Sequence, residues 1–328
     1  MMQTHVVTAS VLERMALAKQ QLSARHIPFF VNFLVGDGPH DVCPLPGVAG
    51  GHASLAALRA TLGNDSVWCI DPSDHRAVWP KFFSDAVEGL ARVGATRQSY
   101  PKPSAIAGIH WSWLFCDVHG IVGALRHGLF EAPQTPVDYL WVFDYDISWV
   151  GDLAAFIDAF SGEPVDLLVA KSNGQALAHH NHDNHLVYSQ FPIRNYLKDE
   201  QVHSALLAPV RYSRRMLAAT RTLIHRGRAA FCETRGASLC ATSGWCRQGS
   251  MMELRPRLFN GNFSCCKSHS DRYSRERWGF WQSDNTPGRP PVQQLHRVKL
   301  EGPPVGTASV LRVAGGAMRH KKNSTRAG

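Results

Sequence analysis

Apolar positions along the chain fall into short uninterrupted runs separated by stretches of helical periodicity. "IPFFVNFLVGD" (27–37) reads as a buried strand ending in a Gly-Asp turn. A Gly/Pro-rich passage follows, then a helix at 53–62 and a short strand at 66–72. Residues 76–93 place Val78, Phe82, Val87 and Leu90 near helical spacing, and a long amphipathic helix is predicted over 104–128. The apolar run Tyr139–Phe143 is the most strand-like segment of all. Beyond it come a short helix ("LAAFIDAF"), a buried strand "VDLLVA" (165–170) and a strand "LLAPVRYS" (206–213). The next segment, "SRRMLAATRTLIHRG", reads as a helix with Ser213 as N-cap and Gly227 as terminator. From 228 onward the periodicity weakens. This alternation of strand and helix predicts an α/β fold, a mostly parallel twisted sheet with helices on both faces. The expected organisation is an N-terminal helix in 1–26, one α/β domain over 27–301 with an irregular C-terminal part, and a basic tail at 302–328.

The run at 139–143 delivers two aspartates, Asp144 and Asp146, in "VDYLWVFDYDISWVGD" (137–152). Alternate residues of a strand share a face, so the two carboxylates lie together while Tyr145 opposes them. Two such charges a few ångströms apart repel unless a cation lies between them. A divalent ion with oxygen ligands would satisfy both and would also bridge the phosphates of a nucleotide. The C-terminal end of a buried strand is where open α/β sheets hold ligands. The plainer alternative is that one aspartate caps the following turn and the other is solvated.

Charge sharpens the picture. Residues 1–200 hold 13 Lys+Arg against 20 Asp+Glu, whereas 201–328 hold 22 against 6, so the net +9 is concentrated at the C-terminal end. A basic third of this kind suits an anionic partner. Five of the eight cysteines fall between Cys232 and Cys266 without a C-x-x-C pair, which argues against a common zinc module. Disulfides and the sequons at Asn64, Asn262 and Asn323 are compatible with a luminal protein. The first 22 residues lack the basic n-region and unbroken apolar core of a signal peptide, and no apolar run has the length of a membrane span. The compartment therefore stays open: Golgi or ER lumen for a fragment of a secretory-pathway enzyme, cytoplasm otherwise.

"YLWVFDYDISWVGDL" resembles the D-x-D strand of GT-A-fold glycosyltransferases, preceded by a β/α alternation of the nucleotide-binding kind. The resemblance implies transfer of a sugar from a nucleotide-sugar donor to a hydroxyl of a glycan or glycoprotein. It implies that Asp144 and Asp146 hold Mn²⁺ or Mg²⁺ on the diphosphate, with His269 completing the metal shell. In "FCETRGASLCATSGW" it assigns Glu233 as the base that deprotonates the acceptor. Lys267, Arg272, Arg275 and Arg277 would hold the diphosphate, and Asp37 and Asp71, at strand ends, would contact uracil or ribose. Asp146 is followed by Ile-Ser rather than a further acidic residue, and some relatives of the fold use basic side chains in place of a metal, so metal dependence is not fixed by the motif.

"LWVFDYDIS" also fits the nucleophile loop of haloacid-dehalogenase-type phosphatases, with Asp144 attacking phosphorus and Asp146 as acid/base. That loop normally opens its domain, and here about 140 residues precede it. A non-enzymatic anion- or nucleic-acid-binding protein would instead use Arg275 and Arg277 beside Trp278, Phe280 and Trp281; packing of that short aromatic patch is the simpler account, so no nucleic acid is expected. The histidines at 179, 180, 182 and 185 with Asp183 read more simply as a solvated loop than as a metal site. The chain has no G-x-x-x-x-G-K-[ST], G-x-G-x-x-G or G-x-S-x-G, which excludes the phosphate-loop, dinucleotide and serine-hydrolase signatures.

Overall fold

The computed structural model describes residues 1–4, 7–35, 43, 53–81, 84, 118–126, 129, 137–145, 147–149, 151–176, 193, 196–228, 230, 232–255, 259–261 and 278–282. Asp37, Asp146, Lys267, His269, Arg272, Arg275 and Arg277, the histidines at 179–185 and the tail from 302 lie outside them.

The chain is an α/β protein built on a seven-stranded sheet with order β3-β2-β1-β4-β7-β6-β8. Its strands are β1 (Met2–Thr4), β2 (Val31–Leu34), β3 (Val67–Ile70), β4 (Tyr139–Asp144), β6 (Leu167–Ala176), β7 (His203–Ser213) and β8 (Gln248–Ser250). The expected mostly parallel sheet is in fact mixed. Strands β3, β2, β1 and β4 run parallel, but β7 runs against both β4 and β6, and β8 is parallel to β6. A buried apolar run reads the same in either direction, so the sequence carried no sign of this reversal. A second sheet of three short strands joins β5 (Ile147–Trp149), β10 (Trp278–Gln282) and β9 (Phe259–Gly261).

Eight helices are described: α1 (Ala9–Ser23), α2 (Ala53–Leu62), α3 (Pro72–Val78), α4 (Val118–Arg126), α5 (Leu153–Ala159), α6 (Arg214–His225), α7 (Cys232–Thr242) and α8 (Met251–Leu254). The N-terminal helix is present as α1, yet a strand precedes it, and that strand sits in the middle of the sheet. Helix α6 matches its sequence signals: the Ser213 hydroxyl accepts from the Met216 amide, and Gly227 turns the chain at φ 65°. Helix α7 emerges where the periodicity had seemed weak, because seven of its eleven residues are buried and the apolar stripe carries Thr, Arg and Ser.

Alternation along the strands feeds two cores, one on each face. Leu140 and Val142 of β4, with Leu167 and Val169 of β6, join α4, α6 and α7. Trp141 and Phe143, with Leu168 and Ala170, join α1, α2 and α5. Burying these apolar side chains at roughly 25 cal/mol per Å² is the main force holding the layers together.

Two buried polar groups give the fold its specificity. Arg211 of β7 is only 1% exposed. Its guanidinium donates to the carbonyls of Phe160 (2.5 Å), Glu163 (2.6 Å) and Val165 (3.3 Å) and lies 4.0 Å over the Tyr139 ring. It thereby fastens the end of α5 and the approach to β6 onto the sheet. Burial lowers the pKa of Arg211 from its ordinary value, while Tyr139 and Glu163 work in the opposite direction. On the other face, His75 of α3 and His119 of α4 meet at 3.0 Å between Nε2 and Nδ1, both essentially inaccessible. One neutral ring donates and the other accepts. Burial holds His75 down at a pKa of about 3.

Replacing Arg211 by Met should cost about 3 kcal/mol in urea unfolding, because buried carbonyls lose their donors. Arg211→Lys should recover only part of it, since one ammonium cannot reach all three carbonyls. For His75, the folded pKa lies below the unfolded value of 6.5. Between those two values the unfolded chain binds the extra proton, so stability should fall as pH drops through that window, by an amount on the order of 5 kcal/mol at most. Unfolding midpoints measured from pH 7 to pH 3 should show a shallower decline for His75→Gln than for the wild type.

Candidate functional site

Parallel strands β3, β2, β1 and β4 all end on one edge of the sheet, and the sequence aspartates Asp71 and Asp144 both lie on that edge. The chain winds outward from β1 in two directions. Helices α1 and α2 carry it to β2 and β3 on one face, and α4 brings it back on the opposite face to β4, on the far side of β1. Ligands of open α/β sheets bind where the strand order switches in this way, here beyond the ends of β1 and β4. Asp144 is the last residue of β4, half-buried, and directly opposite Gln3 of β1 in the strand register. The Gln3 side-chain amide donates to Asp144 Oδ1 at 2.5 Å.

The turn that follows is held from below by α1. Arg14, a buried arginine, donates from Nη2 to the Tyr145 carbonyl at 2.9 Å. Two turns further along α1, Gln21 donates to the Gly151 carbonyl (3.2 Å) and accepts from the Trp149 indole (3.3 Å) and the Leu153 amide (3.0 Å). Gly151 adopts φ 94°, a backbone that side chains with a Cβ rarely take, and Asp152 then caps α5 through the amides of Ala154 and Ala155. Strand β5 begins one residue after Asp146 and pairs with β10, Ile147 facing Gln282 and Trp149 facing Phe280. The aromatic patch of the C-terminal third is therefore the central strand of the small sheet beside the aspartate turn.

Asp71 follows β3, three strand positions from β4, which places the two ends about 14 Å apart. Its carboxylate is engaged. Oδ1 accepts from the Ser73 amide (2.8 Å), the Asp74 amide (3.1 Å) and the Ser73 hydroxyl, and Oδ2 accepts from the Cys43 amide (3.1 Å). Asp74 returns the favour by accepting from the Asp71 amide at 3.0 Å, which completes a capping box with Pro72 at the first helical position. Burial alone would raise the Asp71 pKa, but these hydrogen bonds outweigh it and the net shift is downward. Cys43, Asp71 and Asp74 each offer one potential ligand atom within 4.8 Å of the others. The Cys43 sulfur is bonded to Cys69, however, and a disulfide sulfur is a poor metal ligand. The grouping is a stapled and capped helix start.

Glu233 lies in the first turn of α7, a helix on the same face of the sheet as the Asp144 side chain, which shares its strand face with Leu140 and Val142. Helix α7 is fixed at several points. The Ser238 hydroxyl accepts from the His203 amide (2.9 Å) and donates to the His203 carbonyl (3.2 Å), Cys240 is bonded to Cys246, and Cys232 is also in a disulfide. Asp144 and Glu233 thus share a face, while Asp71 stands at the far end of the same edge. Gln3, Arg14 and Gln21 went unnoticed in the sequence because their partners lie 128 to 141 residues away.

Asp71→Ala should destabilise the protein by about 1–2 kcal/mol at pH 7 through loss of the cap. Because the folded pKa of Asp71 is depressed, that contribution exists above the unfolded carboxylate pKa and disappears as pH falls through the folded one. Denaturant titrations of both proteins at pH 7 and pH 3 should show the gap narrowing. In comparisons with known proteins, no family model and no curated protein matches this chain.

Proposed function

We propose that the protein is a glycosyltransferase that moves a sugar from a nucleotide-sugar donor to a hydroxyl of a glycan or glycoprotein. One observation carries this reading: Asp144 stands at the C-terminal end of β4, at the switch point of the parallel strands, opposite Gln3. A D-x-D segment at that position is where a nucleotide diphosphate is expected to lie. Supporting it, the edge from β4 to β3 is about 14 Å long, close to the reach of a nucleoside diphosphate.

In this reading Asp144 and Asp146 bind the diphosphate through a divalent cation. Carboxylate oxygens at a strand end suit Mn²⁺ or Mg²⁺, which take oxygen ligands. When bound, the ion neutralises negative charge on the leaving diphosphate. Gln3 fixes the rotamer of Asp144, and Arg14 holds the intervening turn by its carbonyl. Glu233 takes the proton of the acceptor hydroxyl as its oxygen forms the bond to the anomeric carbon, while the bond from that carbon to the diphosphate breaks. Lys267, Arg272, Arg275 and His269 belong to the segment joining β9 to β10, and β10 pairs with the strand that begins next to Asp146. They are assigned to the diphosphate and the cation on that basis. A GT-A-type sheet, in which one reversed strand follows the aspartate strand, is part of the same proposal.

Calorimetric titration of UDP with and without Mn²⁺ tests it. The wild type should bind UDP in a metal-dependent way, and Asp144→Ala/Asp146→Ala should weaken binding by about tenfold or more, as expected for loss of ionised ligands. UDP binding indifferent to both metal and mutation would move the diphosphate onto the basic residues. Absence of UDP binding by folded protein would remove a UDP-sugar as the donor.

A further inference from the structure

A cleft far in sequence from the aspartate strand lies on the α7 face of the sheet. It has a volume of about 410 Å³ and lies between α6, α7 and the segment around Tyr196. That volume falls within the range of small-molecule sites. Three arginines line it, Arg226, Arg228 and Arg235, and among the described residues no aspartate or glutamate does. Tyr196, Leu239 and Trp245 supply flat and apolar wall.

The like charges of Arg226 and Arg228 repel each other unless a counter-charge is present, whereas Arg235 has partners of its own, the Ala230 carbonyl at 3.3 Å among them. Arg215, which lies nearby but does not line the cleft, shows how this chain neutralises an arginine when it has no other use for it. Its guanidinium makes two bonds to Asp166, at 3.1 and 2.7 Å, and a third to the Trp245 carbonyl at 2.9 Å. Among the described residues, Arg226 and Arg228 have no such carboxylate. The carbonyls at the end of α6 accept from backbone amides, Arg226 N to Thr222 O, Gly227 N to Ile224 O and Arg228 N to Leu223 O, and among the described residues neither guanidinium donates to them. Arg228 instead lies 5.3 Å over the Tyr196 ring, which orients the guanidinium along the wall. Arg235 also lines the cleft but is 2% exposed, so the site's accessible cations are Arg226 and Arg228.

We propose that this cleft is a binding site for a small organic anion, one that carries a phosphate or carboxylate on a flat apolar body. The planar forks of Arg226 and Arg228 match either headgroup in bidentate fashion. The apolar body would rest on Trp245 and Leu239. The site is independent of the aspartate strand and of the reaction proposed for it.

Phenyl phosphate and benzoate, with benzyl alcohol as the neutral control, are the probes. Isothermal titration into the full chain at low ionic strength should give saturable one-to-one binding of at least one anion and none of the alcohol. The tighter of the two anions identifies the headgroup. Arg226→Gln/Arg228→Gln should weaken binding by about tenfold or more, since charge-assisted bonds are lost. Asp144→Ala/Asp146→Ala should leave it unchanged. Both substituted arginines lie at the end of α6, outside the core, and matching thermal melts would establish that the variant folds. No saturable binding, equal binding by the arginine variant, or loss of binding in the aspartate variant would each overturn the assignment.

Discussion

The alternation of side chains along β4 sets the positions of nearly everything else. Leu140 and Val142 point into one core, Trp141 and Phe143 into the other, and each is nearly inaccessible. Both cores are thus keyed to one strand, and a slip of one residue would put four large side chains on the wrong faces. The same parity decides where Asp144 points. It must emerge on the face of α4, α6 and α7, beyond the last buried residue, with Gln3 of the neighbouring strand as its partner. The position of the carboxylate is a by-product of hydrophobic register.

Around that strand the chain handles its arginines in distinct ways. Arg14 and Arg211 are buried and spend their donors on backbone carbonyls, so each acts as a cross-link between segments remote in sequence. Arg215 sits in a carboxylate fork, and burial of Asp166, which alone would raise its pKa, is outweighed by that arginine, the Arg247 amide and Ser213, so that the net shift is downward. Arg226 and Arg228 line the cleft beside α6, and among the described residues neither has a carboxylate partner. A structural arginine is recognised by the acceptors around it. The last two stand out by that measure.

Much of this was legible in the residues. The strands at 31–34, 67–70, 139–144 and 167–170 announce themselves as apolar runs, and α6 announces both ends through Ser213 and Gly227. What escaped notice was short or nonlocal. A three-residue strand such as β1 or β8 is too brief to show a period of two, and only its neighbours make it a strand. Asp71 was legible as a strand-end carboxylate, but its role as a cap depended on Ser73, Asp74 and the remote amide of Cys43. Aspartates that cap and aspartates that bind look alike until their hydrogen bonds are counted. For Asp144 the motif gave the location, whereas Gln3, Arg14 and Gln21, which shape its surroundings, carry no local signature.

The central place of β1 also bears on how the protein folds. Its pairing with β4 joins residues 141 apart, so the middle of the parallel sheet cannot close until the chain through Asp144 is available. Contacts of such separation are reached slowly, because loop entropy is lost before pairing repays it. Until then β1, which β2 pairs on one side only, presents an unpaired edge. The interval before β4 arrives is when the chain is most open to pairing with another copy of itself, and conditions that shorten it should raise the yield of folded protein.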